Sequence, residues 1–122
     1  MLKDRFFQIL LIILTSIALV HFFGLYGGGY KNIWQLDVVT HFLGGVFVGG
    51  ILVWCFFGRS PHAYRIGILS ALVIGIGWEI FEVLADPFLT SEPGYAFDTT
   101  KDLIMDTLGG FSVAYLFLSL HK

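Results

Sequence analysis

Residues 66–85 read IGILSALVIGIGWEIFEVLA, twenty positions whose only charged residues are Glu79 and Glu82. A helix needs about 20 apolar residues to cross a bilayer core, so the run predicts a membrane span. Ionisable groups inside a span are expensive and mark function or a paired network. The two glutamates therefore pose the question that the rest of the chain must answer.

Working outward, three more stretches meet the same length criterion: roughly 6–26, 37–57 and 101–120. Between the spans lie Gly27-Gly28-Gly29 to Leu36, then Gly58-Arg59-Ser60-Pro61, then Asp86-Pro87 to Thr100. Gly or Pro punctuates each connector. The expectation is an all-α integral membrane protein, with residues 1–122 forming one four-helix transmembrane domain. Lys3 and Arg5 precede the first apolar run as in a signal peptide. That run exceeds the usual signal length and holds only the weak small pair Ser16 and Ala18, so it reads as an uncleaved helix.

Composition agrees with the spans. Of 122 residues, 57% are hydrophobic and 13% charged, with a mean hydropathy of +0.83. A soluble domain carries about 25% charged residues. A net charge of −2 supplies no field for a polyanion, and no nucleic-acid partner is expected. A single cysteine, Cys55, excludes an intrachain disulfide framework and reads as a small core residue near a helix end.

Lys and Arg placement predicts orientation. Lys3, Arg5, Arg59, Arg65 and Lys122 fall on one side, Lys31 and Lys101 on the other. Five against two put both termini in the cytoplasm, and the first and third connectors outside. Tyr26, Tyr30 and Trp34 then form an outer aromatic belt, Trp54 and Tyr64 an inner one.

In that topology seven of the nine acids share the outer layer: Asp37, Glu79, Glu82, Asp86, Asp98, Asp102 and Asp106. Asp37 and His41 are four apart and share a helix face. Glu79 and Glu82 are three apart, with Asp86 a turn further on. Asp98, Asp102 and Asp106 step by four, Asp98 at the edge of its helix. Glu79 and Asp106 sit deepest, one to two turns inward at about 1.5 Å per residue. Including Glu92 in the loop, eight acids face two lysines, a formal −6. Either several carboxyls are protonated or bound cations compensate them. Gly44, Gly45, Gly49, Gly50, Gly75, Gly109 and Gly110 allow close backbone packing around these acids.

The ordered motifs Asp37-Val-Val-Thr-His41-Phe-Leu-Gly-Gly, Gly77-Trp-Glu79-Ile-Phe-Glu82 and Phe97-Asp98-Thr-Thr-Lys-Asp102-Leu-Ile-Met-Asp106-Thr-Leu-Gly-Gly110 resemble the VanZ-like superfamily. They are most similar to its YjdF-type bacterial inner-membrane proteins. The resemblance covers about two-thirds of the chain and implies a four-helix or similar fold with a polar site. Its activity is undefined.

Three readings of the site stay open. The first is a metal site of Asp37, His41, Glu79, Glu82, Asp102 and Asp106, with Asp98, Asp86 and His21 as further candidates. Carboxylates from several helices with one imidazole follow the logic of di-metal bundles. Such a set suits Zn²⁺, Mn²⁺ or Fe²⁺, whereas oxygen donors alone suit Mg²⁺ or Ca²⁺. A membrane hydrolase or phosphoryl transferase would use the ion on a lipid phosphate, with Glu79 and Asp106 as catalytic residues. The second reading is proton or cation binding and transport, for which four helices call for a homo-oligomer. The third is a structural polar layer facing membrane lipid headgroups, in which Asp37 and Asp102 gain from helix N-termini.

Overall fold

The computed structural model describes residues 2–56 and 62–120. Arg59, Ser60, Pro61, Phe57, His121 and Lys122 lie outside these, as does the side chain of Lys31. The elements are α1 (Leu2–Tyr26), the short α2 (Gly29–Asn32), α3 (Gln35–Cys55), α4 (Ala63–Ala85), a 3₁₀ turn (Leu89–Ser91) and α5 (Tyr95–Ser119). Among the described residues there is no strand, and α1, α3, α4 and α5 are each long and apolar enough to cross a membrane.

Local chemistry sets the helix ends. α1 stops at Gly27-Gly28, where Gly28 takes the left-handed region at φ 71° and its carbonyl accepts from Asn32 Nδ2 at 3.0 Å. α4 ends before Pro87: Asp86 is extended at φ −135°, ψ 91°, as a residue preceding proline tends to be. α5 starts after Pro93-Gly94, with Gly94 at φ 85°. It begins at Tyr95 rather than near 101, so Asp98 sits within its first turn. Hydropathy marks the stretch suited to lipid, while the helical hydrogen bonds run on through polar residues at its end. The same extension carries α4 back to Ala63 through Tyr64 and Arg65.

The helices alternate in direction, so the α3 and α5 N-termini and the α1 and α4 C-termini share one end, the acidic end. The opposite end holds the apolar core of Phe6 and Leu10 from α1, Val53 from α3, Ala63 from α4, and Val113, Ala114 and Phe117 from α5. Phe6 meets Phe117 edge to face at 5.6 Å. Phe7 stacks on Trp54 at 4.9 Å, and the Trp54 indole donates to the Lys3 carbonyl at 3.2 Å. Cys55, expected in the core, is exposed. It lies two residues past buried Val53, which turns it to the far side of α3.

Between the two ends, α3, α4 and α5 meet backbone to backbone. A Cβ on Gly45 would overlap the Asp106 carbonyl, and one on Gly109 would overlap the Phe42 carbonyl. A Cβ on Gly49 would lie 2.9 Å from Gly110 Cα, and one on Gly67 2.5 Å from the Gly110 carbonyl oxygen. Apolar surface gives helices in lipid little reason to associate, so close van der Waals packing of small residues carries the assembly.

These contacts separate neighbouring glycines. At Gly44 a Cβ would meet only Asp106 Oδ1, at an ordinary 3.9 Å. Gly44→Ala is expected to change stability by less than about 1 kcal/mol, whereas Gly45→Ala and Gly109→Ala destabilise by about 1–3 kcal/mol through overpacking. Thermal unfolding of the purified variants in one detergent measures the contrast.

Candidate carboxylate–histidine site

The Gly45–Asp106 contact sets the α5 backbone against α3 one turn beyond His41. Gly75 on α4 supplies the remaining space, since a Cβ there would strike the Asp106 carboxylate. His41 thereby stands between two helices' worth of acids. Its Nδ1 is 3.4 Å from Asp106 Oδ2. Its Nε2 lies 3.7 Å from Asp37 Oδ1 and 3.7 Å from Asp102 Oδ2. The Asp37–His41 pair is the expected i, i+4 neighbour on one helix face.

Lys101 closes the arrangement from the other side. Its ammonium donates to Asp37 Oδ2 at 2.9 Å and to Asp98 Oδ1 at 2.6 Å. It also lies 3.3 Å from Asp102 Oδ1, an ion pair without hydrogen-bond geometry. Asp37 and Asp102 each turn one oxygen to Lys101 and the other to His41. Base and acid alternate around a ring, and the ring is largely buried: the Asp102 side chain is 5% exposed and that of His41 11%. Opposite charges so arranged offset part of the cost of taking each from water.

Two buried oxygens have no hydrogen-bond partner among the described residues, Asp102 Oδ1 and Glu79 Oε1. The other Glu79 oxygen accepts from Thr99 Oγ1 at 2.9 Å. Glu79 is buried on α4 and lies within electrostatic range of His41 and Asp106. An unmet buried acceptor costs about 1–3 kcal/mol, more when charged. The site therefore holds more negative charge and acceptor capacity than its own donors satisfy.

The remaining sequence candidates take other places. Glu82 is half-buried and accepts from the Trp78 indole at 2.8 Å. Asp86 is exposed beyond α4, where its Oδ1 accepts from the Phe88 amide at 3.1 Å. His21 pairs with the Tyr30 hydroxyl at 3.0 Å. Glu82, His21 and Asp98 line a cavity of about 710 Å³ that also reaches Asp37, His41, Lys101 and Asp106. The spacing of acids does not disclose Thr99 as the partner of Glu79, nor Trp78, Trp34 and Tyr30 on the cavity wall. For Trp78 the i, i+4 relation to Glu82 is a usable signal.

Three donor atoms, one each from Asp37, His41 and Asp102, lie within 4.8 Å of one another. That spacing brings all three within reach of one cation. Nδ1 of the imidazole faces a third carboxylate, that of Asp106, the arrangement that orients metal-binding histidines.

Removing the ammonium exposes the ring's dependence on it. Lys101→Met leaves three carboxylates short of their cation and is expected to cost about 1–3 kcal/mol, reduced from the fully buried case by the partial exposure of the side chain. Asp98→Asn, at the exposed rim, costs less than about 1 kcal/mol. The double variant Lys101→Met, Asp102→Asn recovers part of the single loss. Thermal melts of the set, compared as a double-mutant cycle, check this.

No curated protein and no solved structure matches the chain. One family does, described as predicted membrane protein (DUF2238), and the match runs over residues 3–122. A small apolar chain with four helices able to cross a bilayer, and nearly its whole length in that match, belongs to this family of membrane proteins.

Proposed function

We propose that the protein binds a divalent metal ion through Asp37, His41 and Asp102 and uses it on the phosphate of a membrane-lipid headgroup. The observation that carries this reading is the aim of the His41 ring. Nε2 faces two carboxylate oxygens at 3.7 Å each while Nδ1 faces Asp106. Asp106 then orients the imidazole rather than holding the ion. One nitrogen and two oxygens suit Zn²⁺, Mn²⁺ or Fe²⁺ ahead of Mg²⁺ or Ca²⁺. The acid-rich surroundings, with Asp37, Asp102 and Asp106 all within 3.7 Å of the His41 ring nitrogens, support a cation there.

A divalent ion held by Asp37, His41 and Asp102 would supply Lewis acidity toward a phosphoryl oxygen and would acidify a bound water. Glu79, with one oxygen on Thr99 and the other without a partner, accepts the proton that the water gives up. Lys101 sits beside the same carboxylates and faces the anionic phosphate. The site opens to the outside of a bacterial inner membrane, as the distribution of Lys and Arg favours. Kinship to the VanZ-like superfamily, through its YjdF-type members, belongs to this proposal and rests on the three ordered motifs around His41, Glu79 and Asp106.

A second reading has its own observation. Lys101 and His41 alternate with Asp37 and Asp102, and such a ring could serve only to hold α3 against α5.

Metal titration separates the two. Chelator-treated protein is expected to bind about one Mn²⁺ or Zn²⁺ per chain by calorimetry, with a higher melting temperature at saturating metal. Asp106→Asn weakens binding by about 10–100-fold, as loss of an orienting carboxylate does, and His41→Ala or Asp102→Asn weakens it further. Elemental analysis that finds no metal, with a melting temperature indifferent to metal and chelator, would leave the ion-pair ring as the function of these residues.

A further inference from the structure

The cavity beside the charged ring has a second half. One face of α1 carries Leu14, Ile17, Ala18, His21 and Leu25, spaced i, i+3, i+4, i+7 and i+11, and all five line it. Lower on the same helix Phe6 and Leu10 are buried in the core. The stripe that packs tightly at one end of α1 thus borders open space at the other. Val48 from α3, and Ala71 and Ile74 from α4, complete the apolar wall. Leu14 to Leu25 spans about 16 Å at 1.5 Å per residue. The volume, about 710 Å³, falls in the range of sites for small molecules.

A cavity in a membrane protein, apolar along one half and charged at the other, has the polarity of an amphiphile. The charged half contains both signs. Lys101 supplies a cation, while exposed Asp98 and half-buried Glu82 line the cavity with it. Trp34 and Trp78 line the same mouth, and Trp78 donates to Glu82 at 2.8 Å. Carboxylates beside indole faces suit an ammonium group, and a lysine suits a phosphate. We infer that the cavity between α1 and α4 holds one phospholipid with a zwitterionic, ammonium-bearing headgroup, an acyl chain along the α1 stripe and the headgroup at Lys101, Glu82 and Asp98. This deepens the reading above, and rests on it in taking a lipid headgroup as the ligand of the site. It adds which headgroup and by which side the lipid arrives.

Selection must come from the headgroup. Lipid tails are as apolar as leucine, so moving one from bilayer to groove gains little. The groove contributes shape, and the mouth contributes choice. A test therefore holds the chains constant and varies the headgroup.

Delipidated protein in nonionic detergent is mixed with equal amounts of phosphatidylethanolamine and phosphatidylglycerol carrying the same chains, repurified, and its lipid quantified. The mixing is done once with chelator and once with Mn²⁺. About tenfold enrichment of phosphatidylethanolamine is expected, the scale of one ammonium recognised by aromatic and acidic groups. The double variant Glu82→Gln, Asp98→Asn brings the two lipids to within about twofold while lipid is still retained. Ala18→Trp, on an exposed wall position away from the charged ring, lowers total retained lipid severalfold with the melting temperature unchanged. Equal retention of both lipids by the unaltered protein, or full retention by Ala18→Trp, overturns the proposal. Enrichment that persists in chelator, in a protein that binds no metal, removes the metal reading alone. Metal binding without enrichment removes this one alone.

Discussion

The α3 and α5 backbones touch where Gly45 faces the Asp106 carbonyl and Gly109 faces that of Phe42. No side chain intervenes, and no side chain larger than hydrogen fits. This contact fixes the height of α5 on α3, and with it the distance from Asp102 and Asp106 to the His41 ring. Gly75 does the same from α4, leaving the volume that the Asp106 carboxylate fills. In a membrane, where burial of apolar surface contributes little between helices, such contacts serve as both the adhesive and the ruler.

The charged ring is affordable because of that proximity. Asp37 and Asp102 each turn one oxygen to Lys101 and the other to His41, so two bases temper a cluster of several acids. The ring does not exhaust the acids. Glu79 retains a buried oxygen without a partner, and Asp102 Oδ1 faces Lys101 without a hydrogen bond. A purely structural network would be expected to satisfy its own members. The proposed metal ion would answer that surplus.

Much of this was legible in the residues. Twenty-residue apolar runs gave four spans, and Asp37 with His41, or Asp102 with Asp106, declared shared faces through steps of four. Helical period says which residues of one helix are neighbours. It says nothing about rotation of one helix against another, so it could not divide Glu79, which turns inward, from Glu82, which turns to the mouth. It also left Lys101 as a nearby cation without partners. Those partners come from α3 as well as α5, and only the glycine contacts bring the two together. The opening beside α1 was hidden for a related reason. Its stripe from Phe6 to Leu25 is continuous in sequence, yet it is packed at one end and faces a cavity at the other.

Cys55 is the chain's sole cysteine. It stands exposed as the final residue of α3, a helix length of about 30 Å from Gln35 at the charged end. Nature has thus supplied a single thiol handle remote from the site. A charged maleimide that does not cross bilayers reacts with it from one face of a sealed vesicle only. The sidedness of the whole molecule can be read from that reaction without altering one residue.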